Sequence, residues 1–212
     1  MIESKILMTT KRETIETLID EIRAYVPQAD FALIRRAYAF AAKAHEGQIR
    51  KSGEPYIIHP LAAAHILTHM RIDPMIVAAT LLHDVPEDTA VTLEEIEREF
   101  GSEIASMVRG ITKLGTLKYR GVERYIENLR KMFIAMAEDV RVMIIKFADR
   151  INNLETLAVL PPQKQYRIAL ESLEMYAPIA NRLGMGEMKG QLEDLSFRYV
   201  YPHEYERVKT LR

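Results

Sequence analysis

The chain has 212 residues, 48% apolar and 28% charged, with a net charge of −1 and no cysteine. These totals fit one sizeable folded domain. The balanced charge excludes a global basic field for nucleic acid or an acidic membrane, and the lack of cysteine excludes disulfides, thiolate metal sites and cysteine nucleophiles.

Helical patterning then runs almost end to end, with no convincing alternating strand. Residues 11–25 predict a polar amphipathic helix that stops near Pro27, and 30–45 a second that stops at Gly47. A loop rich in Gly, Arg and Lys spans 48–55. Tyr56-Ile57-Ile58-His59-Pro60 opens the next helix, with Pro60 in its first turn, and this helix runs to about Arg71. Asp73-Pro74 is a strong start signal for the apolar helix Met75–Leu82. That run ends in His83-Asp84-Val85-Pro86-Glu87-Asp88-Thr89. Thr92 with Glu95 makes a capping box for a short helix ending near Gly101. Further helices are predicted at 102–113, 122–137, 139–158, 163–182 and 187–200, with a loop at 115–121 and Pro202 after the last. No repeat or linker divides the chain, so one all-α domain is expected. The N-terminus lacks a basic-then-apolar leader, and no apolar run approaches the ~20 residues of a membrane helix. A cytoplasmic protein with neither membrane nor nucleic-acid partner is expected.

The block after Leu82 is the leading candidate for chemistry. Burying carboxylates costs several kcal/mol each unless they are paired or bound to a metal. A His-Asp dipeptide alone is a weak signal; the preceding apolar run and the following Glu87 and Asp88 give it weight. On a regular helix His83 and Asp84 point about 100° apart, so both reach one ion only near the helix end. A His, a carboxylate and a third ligand suit a transition metal with open or water-filled positions. His59 reads either as a surface helix-entry residue or, given the apolar residues before it, as an inward-facing ligand. Asp149 ends a second apolar run, 142–148, and reads either as half of a surface pair with Arg150 or as part of a pocket wall. Asp149, Asn153 and Thr156 share one helix face, which favours the wall. Arg50 and Lys51 are either a solvated loop or a phosphate- or base-recognition element. His65 and His69 have zinc-helix spacing, but Ile66 stands where H-E-x-x-H requires Glu, so they read as ordinary helix residues.

Taken in order, several segments resemble the HD-domain hydrolases, specifically the N-terminal hydrolase domain of the Rel/SpoT alarmone enzymes. They are Arg50-Lys51-Ser52-Gly53-Glu54-Pro55-Tyr56-Ile57-Ile58-His59-Pro60, the His83–Thr89 block, Gly110-Ile111-Thr112-Lys113-Leu114, Glu127-Asn128-Leu129-Arg130-Lys131-Met132, Lys146-Phe147-Ala148-Asp149-Arg150, the stretch from Tyr176 to Gly184 and that from Leu192 to Tyr199. The resemblance spans roughly residues 30–205. It implies one HD-type bundle of roughly ten helices over 1–212, preceded by the 11–25 helix. It also implies hydrolysis of ppGpp and pppGpp to GDP or GTP and pyrophosphate, in control of the stringent response.

By the same resemblance, Mn²⁺ or another divalent metal would be held by His59, His83, Asp84 and Asp149. Glu87 and Asp88 would be catalytic, and Arg50, Lys51, Asn153 and Thr156 would bind the nucleotide. Water must attack the phosphorus bonded to the 3′ oxygen; a divalent ion activates that water and offsets phosphoryl charge, while carboxylates orient or deprotonate it. Pro86 departs from the aliphatic residue more frequent in the family, and a helix end or kink is expected there. Asn152 and Glu155 depart from a His and a basic residue. No Gly-Arg-Xaa-Lys-like synthetase segment occurs, so the chain is expected to be the hydrolase half of a bifunctional enzyme whose synthetase domain lies elsewhere. Two alternatives remain: a catalytically silent nucleotide-binding regulatory HD domain, and an HD phosphohydrolase acting on another nucleotide.

Overall fold

The computed structural model describes residues 13–115 and 122–210, and among them the architecture is entirely helical. Helix α1 (Ile15–Tyr25) starts at a Thr14 cap, so the expected 11–25 helix begins a turn later; residues 11 and 12 lie outside the described residues. Asp30 caps α2 (Phe31–Ala44), its Oδ1 accepting from the Leu33 amide at 2.9 Å. The loop that follows closes through a turn in which Gly53, at φ 89°, adopts the left-handed conformation glycine allows, and its amide donates to the Arg50 carbonyl.

Helices α3 (Ile58–His69) and α4 (Pro74–Leu81) form the centre. In α3 every residue from His59 to Thr68 is buried, and in α4 every residue from Ile76 to Leu81. A helix apolar on all sides belongs inside the protein, and these two lie between α1, α2, α7 and α9. Asp73 caps α4 as expected, its Oδ1 accepting from the Met75 amide.

The chain then departs from its pattern. Helix α4 stops at Leu81, residues 82–84 form a turn, and a single new turn, α5 (Val85–Asp88), begins after Asp84. His83 and Asp84 therefore do not lie on a regular helix. Pro86 sits in the first turn of α5, where no intrahelical partner for its missing N–H is needed, so the expected break falls ahead of the proline.

The Thr92–Glu95 capping box forms with both reciprocal bonds, 2.8 and 3.2 Å, and starts α6 (Leu93–Phe100). Helices α7 (Ser102–Gly115) and α8 (Val122–Glu138) flank the expected second loop, of which 116–121 lie outside the described residues. Helix α9 (Arg141–Glu155) packs on α3 and ends in a 3₁₀ turn at Leu157–Val159. The predicted 163–182 helix is one rod in three parts: α10 (Pro162–Glu171), a π-turn at Ser172–Tyr176 closed by a hydrogen bond that the Ala177 amide donates to the Ser172 carbonyl, and α11 (Ala177–Arg182). Helix α12 (Gly186–Val200) is followed by α13 (Pro202–Thr210), because Pro202 opens a new helix instead of ending the last. One continuous apolar core runs from Leu18 to Leu192.

Candidate active site

The start of α3, the turn after α4 and the body of α9 converge on one buried spot. His59, second residue of α3, is 3% exposed and faces inward, which removes the surface reading. Its Nδ1 lies 2.7 Å from Asn152 Oδ1. An amide oxygen only accepts, so Nδ1 carries the proton and Nε2 is turned to the cluster. His83, fully buried in the turn after α4, repeats the arrangement with Nδ1 2.7 Å from the Thr80 carbonyl. Its Nε2 makes no hydrogen bond, although Asp84 Oδ1 is 3.1 Å away. Asp149, 6% exposed on α9, sets Oδ1 3.2 Å from His59 Nε2 and 4.0 Å from His83 Nε2. Arg150 pairs with Glu171 at 2.9 Å, so the Asp149–Arg150 surface pair does not form.

One atom from each of His59, His83 and Asp149 lies within 4.8 Å of the others. Asp84 closes the fourth side, its Oδ2 3.4 Å from His59 Nε2. Two imidazoles with committed tautomers, two carboxylates and a buried unpartnered Nε2 fit a divalent metal. Among the described residues no other such group occurs.

Charge is concentrated here. Burial opposes ionisation of Asp149, but Lys146, His59 and His83 hold its carboxyl well below the usual range. Burial likewise opposes protonation of His59, and Asp149 and Asp84 more than reverse that. Glu87 stands at the rim; partial desolvation pushes its carboxyl up to about 7, helped by Asp84, Asp88 and Asp149 and opposed by Lys146. Asp88 is also exposed.

Beside this centre lies a cleft of about 310 Å³ whose walls include Arg50, Lys51, Arg150, Asn153 and Thr156 together with the apolar Leu157 and Ile168. Arg50 reaches Asn152 Oδ1 at 3.3 Å and Asn153 Oδ1 at 3.1 Å, so its side chain is engaged by α9 and not merely solvated. Asn153 Nδ2 donates to Asp149 Oδ1 at 2.6 Å, which joins the cleft to the cluster. Thr156 caps α9. His65 and His69 lie apart and turn to Glu21.

Three residues were missed in the sequence. The Tyr56 hydroxyl lies 2.9 Å from Asp84 Oδ2 and 2.6 Å from Asp88 Oδ2, with its ring stacked on His45 at 4.5 Å. Burial and the two carboxylates push the phenol far up, so it stays protonated and donates. Asn152 was noted only as a departure, yet it orients His59. Lys146 donates to Asp149 Oδ2 at 2.8 Å. A lone lysine inside an apolar run, three residues before a candidate ligand, was the available signal.

Comparison with known proteins gives the family. Residues 37–186 match the HD domain family. A GTP pyrophosphokinase of Myxococcus xanthus is 49% identical over 188 residues, 87% of this chain and 25% of the relative. The bifunctional (p)ppGpp synthase/hydrolase SpoT of Escherichia coli is 48% identical over 197 residues, 92% of this chain and 28% of its own. The chain thus spans about a quarter of the curated relatives it matches. A solved metazoan ortholog of SpoT that hydrolyses ppGpp superimposes with a TM-score of 0.63 at 26% identity, covering 79% of this chain and 94% of the other. With the matched region enclosing His59, His83, Asp84 and Asp149, the chain belongs to the HD domain family.

Proposed function

We propose that this chain hydrolyses ppGpp and pppGpp to GDP or GTP, releasing pyrophosphate from the ribose 3′ position, with Mn²⁺ as its metal. The observation that carries the reading is the junction at Asn153: one side chain bonds both the candidate ligand Asp149 and the cleft residue Arg50. A metal-activated water and a nucleotide phosphate would meet there. The relatives' names and the solved ortholog supply the substrate class.

In this reading His59, His83, Asp84 and Asp149 hold the ion. When bound, it lowers the pKa of a water and offsets charge on the attacked phosphoryl group. Arg50 and Lys51 grip the nucleotide with positive charge, Asn153 and Thr156 fix it along α9, and Leu157 and Ile168 cover an apolar face of the base. Glu87 accepts the proton of the attacking water, since a carboxyl pushed up to about 7 is matched to neutral pH. Asp88, hydrogen-bonded by Tyr56, orients that water. The synthase activity of the longer relatives is assigned to parts of those proteins that this chain does not match.

The test is ppGpp turnover with added Mn²⁺, following GDP and pyrophosphate by ion exchange. Metal-dependent GDP formation is expected, abolished in Asp84→Ala and lowered ~10²–10⁴-fold in Glu87→Gln. Nucleotide binding with no turnover by the unmutated protein would instead make this a regulatory HD domain.

A further inference from the structure

Lys146 projects from α9 in the midst of a run whose neighbours Ile145, Phe147 and Ala148 are fully buried. Its side chain is only 19% exposed, and its ammonium is directed to the metal centre, not to the surface. A cation next to a site for a divalent cation looks unfavourable, because like charges repel. Its effect on metal binding therefore has a definite sign if charge is all that matters: removing it would tighten the ion.

The geometry points to the opposite. Asp149 has two oxygens with two different duties. Oδ1 faces His59 and His83 and accepts from Asn153 at 2.6 Å. Oδ2 accepts from Lys146 at 2.8 Å. With both oxygens tethered, the carboxylate neither rotates nor offers both atoms to the ion. We propose that Lys146 is a positioning residue of the metal centre, anchoring Asp149 Oδ2 so that Asp149 presents Oδ1 alone. This rests on the metal-hydrolase reading of the same site. Partners that orient a ligand typically govern metal affinity or activity by 10–100-fold. The same ammonium acts on Glu87, opposing the rise of its carboxyl, so one charge serves a ligand and the proposed base together.

The test is Mn²⁺ binding by calorimetry to the metal-free full chain, for the unmutated protein, Lys146→Met and Lys146→Gln. Glutamine keeps an N–H donor without the charge. Affinity is expected to fall 10–100-fold in Lys146→Met and to recover at least half of that loss, on a logarithmic scale, in Lys146→Gln. In turnover, Lys146→Met should lower kcat by at least tenfold while KM for ppGpp changes less than threefold. Far-ultraviolet circular dichroism and melting verify folding, and Lys146→Gln carries the test if the methionine variant does not fold. Tighter Mn²⁺ binding in either variant, or unchanged binding and kcat in both, overturns the proposal. Failure of the unmutated chain to bind Mn²⁺ at all overturns the underlying metal reading, and this inference with it.

Discussion

Glu87 illustrates how a reactive side chain opposes its own fold. Its folded-state carboxyl sits at about 7 against an ordinary 4.5, so the folded chain holds that proton more tightly than the unfolded one. Stability must then decline as pH rises from about 4.5 to about 7. Glu87→Gln removes the penalty, so the metal-free variant should melt above the parent at pH 8 and level with it at pH 5. Solvent at the rim screens the repulsion, which limits the gain to about 1 kcal/mol or less. Equal melting differences at both pH values would count against the assignment. Tyr56→Phe deletes the hydroxyl shared by Asp84 and Asp88, and about a tenfold loss of kcat with little change in KM is expected from steady-state kinetics. His59, His83, Asp84 and Asp149 were legible in the sequence because each closes or borders an apolar stretch. Tyr56 was not: its partners lie 28 and 32 residues away, and periodicity registers burial without registering what a polar tip meets.

At the level of helices, α1 is clasped to α3 by a group read in the sequence as incidental. His65 Nδ1 lies 2.8 Å from Glu21 Oε2, Thr68 donates to the same oxygen, and His69 Nε2 is 3.6 Å from Oε1. Spacing alone tested His65 and His69 against zinc; their partner is 44 residues upstream of His65. Burial opposes ionisation of Glu21, yet these donors hold its carboxyl well below 4.5, so its contribution is present above 4.5 and lost as pH falls through the lowered value. Glu21 holds the His69 ring above 6.5, and that contribution is present below 6.5 and lost as pH rises through the raised value. Both operate between about 4.5 and 6.5. Glu21→Gln should therefore cost most there, about 1–2 kcal/mol near pH 5.5 and less at pH 8, read from urea unfolding at each pH. Packing sets a second limit. A Cβ on Gly110 would stand 2.5 Å from Val142 Cγ2, where α7 meets α9. Gly110→Ala is expected to destabilise by about 1–3 kcal/mol despite its better helix propensity, and Val142→Ala in the same chain should recover part of that loss. Helix α13 was missed because Pro202 was noted only as following the 187–200 helix, whereas proline is equally at home in a first turn.

Across the whole molecule the centre ties together segments distant in sequence: the start of α3, the turn after α4 and the last turns of α9. An ion held by all three binds only the folded chain. At one hundred times its Kd it should add about 2.7 kcal/mol, raising Tm by roughly 5–10 °C for a domain of this size. Differential scanning fluorimetry with and without Mn²⁺ measures this; Asp149→Ala should abolish the shift, and a chelator should reverse it. The all-helical class and most helix positions were legible, since most helices carry an amphipathic period, a cap or a proline in the first turn, and the two central ones read as apolar runs. The order in which helices pack was not, because burial patterns do not say which buried face meets which.

The π-turn within the 162–182 rod has one more consequence. Arg150, on the wall of the cleft, pairs with Glu171 at 2.9 Å and lies 4.1 Å over the ring of Tyr176. On a regular helix, residues five apart point about 140° from one another, so these two could not face the same guanidinium. The extra residue in the turn brings them onto one side. Loss of a single codon between 173 and 175 would leave Glu171 and Tyr176 four apart, about 40° from one another on an ordinary helix, so both would still face Arg150; it is unwinding of the π-turn at its present length that would swing Tyr176 away and leave one cleft arginine half-held.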